Sequence, residues 1–371
     1  MDEIYSQISG IEKEIRETPY HKATEHHIGK LRARLAKLKD KILDTPSKGG
    51  GGGGRRLGET SGSERGYSVK KQGDATVVLI GPPSAGKSTL INNLTNAESK
   101  VAPYAFTTVS VIPGMLKFQD AYIQILDVPG LIEGAKEGKG RGKEVLSVAR
   151  GADLLLIMTD IERSNSLDLL TGELESAGIR INKTPPKVKI KKEVQGGLTI
   201  HSNIKQDIGE QTIIGVAQEF GIRNGEITIN ERLTMDSLID SFSPNRVFLP
   251  AIFVINKSDI ANTHFHELIH GSDVLLISAE KGIGIDDLLN EIWEKLKLIR
   301  VYLVRPKEEP SFNHSMIMSE GQTLKDLAEK IGTEFALDKI SAKIWGKEAK
   351  FPGQEVSLTT YLQEGMQVRF V

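Results

Sequence analysis

The sequence predicts an α/β fold: a mostly parallel sheet with helices on both faces, carrying an N-terminal helical hairpin, an inserted α+β subdomain and a C-terminal β-grasp-like domain. Three observations lead there. Short apolar runs at 76–80, 122–126, 154–158, 252–255 and 274–277 alternate with helical patterns, as buried parallel strands joined by helices do. Roughly ninety residues separate the third run from the fourth, too many for a simple loop. The chain has 371 residues, more than one ordinary core, so two or three domains are expected.

The hairpin is read over 1–48. Ile4, Ile8, Ile11 and Ile15 make one apolar stripe, and after Pro19 a second follows at Ile28, Leu31, Leu35, Leu38 and Ile42. Both have helical spacing. Residues 1–72 carry 15 Lys/Arg against 10 Asp/Glu, and this excess reads equally as a solvated helix face or an RNA-facing patch. Six consecutive glycines from Gly49 to Gly54 open a linker expected over 49–72, since such a run has high backbone entropy and nothing to pack. The sheet-bearing domain is expected over 73–169 and 241–298. The insert between them, 170–240, contains Pro185-Pro186, a basic strand-like stretch at 187–192 and Gly196-Gly197. The last unit, 299–371, reads as a strand at 300–304, a helix at 323–331 capped by Thr323, and late strands, with no net charge.

Composition closes several classes. The net charge of −1 gives no global pull toward nucleic acid. The absence of cysteine excludes disulfides, a thiol nucleophile and Cys-ligated zinc. Aromatic residues are 5% of the chain, which argues against a base-stacking surface as the main activity. No apolar run reaches the roughly 18–20 residues of a membrane span. Met1 is followed by acidic, helical sequence rather than a signal peptide, so a cytoplasmic location is expected, without membrane or DNA partners.

The chemistry-bearing motifs sit at strand ends. Gly81-Pro82-Pro83-Ser84-Ala85-Gly86-Lys87-Ser88 matches G-x-x-x-x-G-K-[ST] between a buried strand and a helix-like stretch beginning at Thr89, the context of a phosphate-binding loop. Phosphates favour a helix N-terminus, where unpaired N–H groups and the dipole meet the anion. Lys87 is expected to reach the β- and γ-phosphates, and Ser88 to ligate Mg²⁺. Asp127-Val128-Pro129-Gly130 follows the strand at 122–126, which fits a Walker B acid serving Mg²⁺ with the Gly130 amide near the γ-phosphate. Asn256-Lys257-Ser258-Asp259 ends another strand. A carboxylate at Asp259 accepts from guanine N1–H and the 2-amino group, a donor pair adenine lacks. Ser278-Ala279-Glu280 ends the next strand, and its Ala279 amide suits guanine O6.

Between these motifs lies Phe106-Thr107-Thr108. A threonine there completes a Mg²⁺ shell only while the γ-phosphate is present, and chemistry alone leaves the choice between the two open. Leu131 occupies the position after Gly130, where many GTPases carry a water-orienting Gln, so slow intrinsic hydrolysis is expected. His21, His26 and His27 lack acidic or Cys partners at ligand spacing and read as surface residues.

Taken together, these motifs and their order resemble the developmentally regulated GTP-binding protein family within the Obg-related GTPases, of archaeal type. The resemblance also rests on Tyr104-Ala105-Phe106-Thr107-Thr108 and the glycine-rich stretch after Gly130 through Gly142. It implies a P-loop GTPase domain with an N-terminal helical hairpin, a ribosomal-S5-like insert and a C-terminal β-grasp TGS domain. It further implies GTP/GDP and Mg²⁺ as ligands, Thr108 as the switch threonine, and catalytic roles for Lys87, Thr108 and Gly130. The metal set becomes Ser88, Thr108 and Asp127. Related P-loops hold Asn at the fourth position, linked to stimulation by K⁺. Ser84 stands there in this chain, and its shorter hydroxyl leaves K⁺ dependence open. The implied partner is the ribosome or ribosomal RNA, with room for a regulatory protein. An RNA- or ribosome-binding module using GTP mainly as a structural ligand is the alternative.

Overall fold

The computed structural model describes residues 2–44, 71–95, 112–128, 141–260 and 273–371. In chain order the helices α1 (Asp2–Glu17) and α2 (Glu25–Asp44) precede strand β1 (Ala75–Ile80) and helix α3 (Lys87–Leu94). Strands β2 (Ile112–Phe118) and β3 (Ala121–Asp127), helix α4 (Arg141–Arg150) and strand β4 (Leu154–Asp160) follow. After a short 3₁₀ turn at Ile161–Arg163 come α5 (Ser166–Ser176), β5 (Ile179–Ile181), β6 (Val188–Lys192), β7 (Leu198–Ser202), α6 (Glu210–Glu219), β8 (Gly225–Ile229) and α7 (Met235–Phe242). The chain continues through β9 (Val247–Leu249), β10 (Ala251–Asn256), β11 (Val274–Leu276) and α8 (Ile285–Leu296). It ends with β12 (Leu298–Leu303), β13 (Ser315–Ser319), α9 (Leu324–Ile331), α10 (Thr333–Leu337), β14 (Ser341–Trp345), β15 (Gln354–Ser357) and β16 (Gln367–Phe370).

Two compact units emerge, 1–64 with 168–249, and 65–167 with 250–371. In the second, six strands run in the order β11-β10-β4-β1-β3-β2. All neighbours are parallel except β2, which pairs antiparallel with β3. β1 and β4 are buried along their whole length, which explains why their sequences are nearly continuous apolar runs. Leu79, Leu90, Ile125, Leu156 and Val254 share the core beneath the site. Because β1, β3, β4 and β10 run in one direction, the segments leaving their C-terminal ends gather at one edge, the usual ligand position of an open α/β sheet.

The sequence reading does not contain β2. Pro113 and Gly114 interrupt its apolar pattern and mimic a loop. Pro is tolerated in an edge strand, and β2 is the last strand of the order. Gly114 is required by close packing, because a Cβ there would lie 2.6 Å from Thr95 Cγ2.

Residues 299–371 add a five-stranded sheet in the order β13-β12-β16-β14-β15, with α9 packed on it through Leu324 and Leu327. Thr323 caps α9 as expected: its hydroxyl accepts from Asp326 N, and the Asp326 carboxylate accepts from Thr323 N in return. This reciprocal pair satisfies two N–H groups that a helix start leaves open.

In the other unit, the hairpin and the insert share one core. Ala33 and Ala36 of α2 pack with Val216 and Ala217 of α6, Leu238 of α7 and Ile227 of β8. The sheet here has the order β6-β8-β7, antiparallel then parallel, and a separate parallel pair joins β5 to β9. Glu25 on α2 accepts from Gly209 N at 2.8 Å and Thr212 Oγ1 at 3.0 Å, holding the start of α6. Arg180 grips Asp240 through two nitrogens, and Arg246 bridges Asp240 and Asp40. Arg32, Arg34 and Lys39 pair with Asp236, Glu219 and Glu12. These three basic side chains of the hairpin are thus paired inside their own unit.

A candidate nucleotide-binding site

The loop 81–86 leaves the buried strand β1 and delivers the chain to the first turn of α3. Its glycines are dictated by close approach of neighbouring groups. A Cβ at Gly81 would fall 2.1 Å from Met158 O, and one at Gly86 would fall 2.2 Å from Asn256 Nδ2. Gly86 also has φ of 92°, in the region L side chains avoid. The carbonyls of this loop are held by donors. Lys87 Nζ donates to Gly81 O and Pro82 O, both at 2.9 Å, Arg163 Nη1 to Pro83 O at 2.8 Å, and Asn256 Nδ2 to Ala85 O at 2.9 Å. A helix start leaves its first N–H groups without intrahelical partners, so the loop and α3 together offer anion-seeking donors. Pro82 and Pro83 lie ahead of that turn, where their missing N–H groups are not needed. Ser84, Ser88 and Thr89 are exposed around it, Ser84 with φ of 63°.

Asp127 ends β3 on the same edge and is 4% exposed. Ser88 Oγ donates to its Oδ2 at 3.4 Å, while Oδ1 is buried with no hydrogen-bond partner among the described residues. Burial pushes the Asp127 carboxyl above the ordinary carboxylate range, and the Lys87 ammonium and Ser88 hydroxyl pull it partly back. An orphaned carboxylate oxygen beside a serine hydroxyl fits a hard divalent cation such as Mg²⁺. Val128, next in sequence, is buried and donates its N–H to Leu79 O.

At the far side, Asn256 joins the phosphate loop to the strand-end segment 278–280. Its Oδ1 accepts from Ala279 N at 2.8 Å while its amide holds Ala85 O. Ser278 and Ala279 are buried, and Glu280 is exposed. Asp259, in a 3₁₀ turn at Ser258–Ile260, is exposed. The structure therefore gathers 81–89, Asp127, Val128, 256–259 and 278–280 at one edge of the sheet. Phe106, Thr107, Thr108, Pro129, Gly130 and Leu131 lie outside the described residues. His21, His26 and His27 are exposed, His27 against Glu14, and no metal-ligating cluster occurs among the described residues.

Three residues of the site have no motif to announce them. Asn93 on α3 donates to Ala279 O. Asp160 ends β4 opposite Asn256 and accepts from Lys257 Nζ at 3.1 Å. Arg163 reaches back to the phosphate loop. The available signal for Asp160 was the one that marked Asp127, an acid at the end of a buried strand.

A phosphate loop on β1, an acid at the end of β3 and an Asn-Lys-x-Asp element after β10 define a P-loop protein of the GTPase class. Comparison with known proteins agrees. Residues 76–192 match the family model described as 50S ribosome-binding GTPase, 195–298 the C-terminal region of the MMR_HSR1 domain, and 299–371 the TGS domain. An uncharacterized GTP-binding protein of Methanocaldococcus jannaschii is 44% identical over 369 residues, covering 98% of this chain and 91% of its own. Developmentally-regulated GTP-binding protein 1 of Xenopus laevis is 38% identical over 370 residues, 99% of this chain and 98% of its own. Among solved structures, the YchF GTPase of Schizosaccharomyces pombe aligns with 81% of this chain and 99% of its own at 14% identity and a TM-score of 0.46. The chain belongs to the family of developmentally-regulated GTP-binding proteins and carries a C-terminal TGS domain.

Proposed function

We propose that this GTP-binding protein hydrolyses GTP to GDP and phosphate at the 81–88 loop, as a conformational switch that acts on the ribosome. The observation that carries hydrolysis is the Ser88–Asp127 pair next to Lys87, with one Asp127 oxygen unpartnered among the described residues. Ser88 and Asp127, joined by Thr108, are the groups to hold Mg²⁺, which neutralises phosphate charge when bound there. Lys87 turns from the carbonyls of Gly81 and Pro82 to the β- and γ-phosphates. The Gly130 amide meets the γ-phosphate, so that the segments around Thr108 and Gly130 close with GTP and release after hydrolysis. Asn256 aligns the base-reading loop, and Asp259 accepts from the guanine edge. Leu131 offers no hydrogen bond to water, so intrinsic turnover falls at about 10⁻⁴–10⁻² s⁻¹, the range of unassisted GTPases.

The ribosomal assignment is supported by the description of the matched family model and by the TGS domain; it goes with a cytoplasmic location. No helix of the described residues is long and apolar enough to cross a membrane. Leu131 favours a second reading, in which nucleotide is a structural ligand of a ribosome-binding module. Single-turnover hydrolysis with and without ribosomes separates the two, combined with co-sedimentation under GDP and a non-hydrolysable GTP analogue. Ribosome-stimulated turnover with GTP-selective binding supports the switch. Nucleotide-independent binding without turnover supports the module.

A further inference from the structure

From the turn that follows β4, we infer that Asp160 and Arg163 are positioning residues that set the guanine-reading loop and the phosphate loop against each other. The inference rests on the guanine-nucleotide reading of the same site. Asp160 is fully buried, and its two oxygens do different work. Oδ1 accepts from Arg163 N at 3.1 Å and caps the 3₁₀ turn. Oδ2 accepts from Lys257 Nζ at 3.1 Å. Capping alone requires only an acceptor oxygen, which Asn, Ser or Thr supplies as well. A charged carboxylate buried in a sheet is costly unless it is paired, so its selective use here lies with Lys257.

Lys257 needs that partner. It stands in the left-handed region at φ of 64°, a conformation that strains a non-glycine residue. It sits between Asn256, fixed to Ala85 O and Ala279 N, and the exposed carboxylate of Asp259 two residues on. The ion pair therefore fixes the backbone bend from which Asp259 is presented. Arg163, three residues beyond Asp160, places Nη1 on Pro83 O at 2.8 Å. Thr159 holds the same turn through Arg163 O and Ser166 Oγ. One short turn thus grips the base loop at its start and the phosphate loop at its end. Each grip has a separate consequence: Asp160 sets how strictly the base is read, and Arg163 how firmly the phosphates are held.

The test is equilibrium titration of the full chain with GDP and with inosine diphosphate, which lacks the 2-amino group that Asp259 would read. Asp160→Asn keeps the capping oxygen and removes the charge facing Lys257. It should lower the GDP-to-IDP affinity ratio about tenfold, the size of one charge-assisted hydrogen bond, whatever the fall in melting temperature from the broken buried pair. A mere loss of fold would weaken both nucleotides alike and leave the ratio at the wild-type value. Lys257→Met approaches the pair from its exposed side and should lower the ratio in the same way. Arg163→Ala should weaken GDP and IDP equally and leave the ratio at the wild-type value. Wild-type ratios in both Asp160→Asn and Lys257→Met overturn the base-reading half, and unchanged affinities in Arg163→Ala overturn the phosphate half. Failure of the wild-type chain to bind GDP would instead overturn the guanine-nucleotide reading, and this inference with it.

Discussion

The nucleotide edge of the sheet and the hairpin–insert unit are both rich in charge, and they use it in opposite ways. At the nucleotide edge, Asp160 is closed in an ion pair with Lys257, while Lys87, Asp127 and Asp259 line the proposed ligand position. Lys87 rests on two carbonyls, one Asp127 oxygen has no hydrogen-bond partner among the described residues, and Asp259 is exposed. In the hairpin–insert unit the charges are matched to each other. Asp240 takes both Arg180 and Arg246, Asp40 takes Arg246, and Glu25 takes Lys22, Gly209 and Thr212. The contrast separates charge that awaits a partner from charge that builds a fold, a distinction that net charge alone does not make.

The largest effect that can break this contrast lies in the matched network. Asp240→Ala removes the carboxylate that Arg180 and Arg246 share, leaving Arg246 on Asp40 and Arg180 on Glu175 O, and breaking such a pair from one side costs up to about 3–5 kcal/mol. Urea unfolding should show that loss, and hydrogen exchange should localise it to 168–249 and α2. A loss within the range of surface substitutions would mean that the network is decorative. At the nucleotide edge the reverse pattern is expected. Lys87→Ala should reduce GTP affinity by about 10- to 100-fold, the scale of hydrogen bonds to charged groups, as read by fluorescent-nucleotide titration. If nucleotide affinity is untouched, the donors of this loop are not phosphate ligands.

The smallest effect sharpens the contrast within the TGS domain, where a local charge serves one helix end. The Thr323 backbone and hydroxyl hydrogen bonds hold the Asp326 carboxyl below its ordinary value, outweighing its partial burial. A depressed folded value means stability that is complete above the unfolded carboxylate pKa of about 3.9 and lost as pH falls through the folded one. Asp326→Asn should cost about 1 kcal/mol at neutral pH, as lost caps do. That difference from wild type should shrink below about pH 4 in thermal melts taken across the acid range. A difference that is constant with pH would assign the effect to packing.

What was legible in the sequence follows the same division. The segments 81–88 and 256–259 and Asp127 were readable as strand-end motifs, and the structure brings them to one edge of the sheet. The Thr323 cap was readable because its partner stands three residues away. Asp160 and Arg163 were not, since a lone acid at a strand end is common and the bond from Arg163 to Pro83 O joins residues far apart in sequence. The union of hairpin and insert was invisible for the same reason: Glu25 meets Gly209, and Arg246 meets Asp40, only through the fold. Strand β2 was hidden by Pro113 and Gly114, whose roles depend on an edge position and on Thr95.

The central claim is that GTP is bound and hydrolysed at this one edge, with Asp259 reading the base. The most direct measurement is hydrolysis of GTP and xanthosine triphosphate by the wild-type chain and by Asp259→Asn. Xanthine carries a carbonyl where guanine has its 2-amino group, so an Asn amide can donate where the Asp carboxylate only accepts. The account predicts that the substitution moves turnover from GTP to xanthosine triphosphate. Undiminished GTP hydrolysis by Asp259→Asn, with no gain for xanthosine triphosphate, would contradict it.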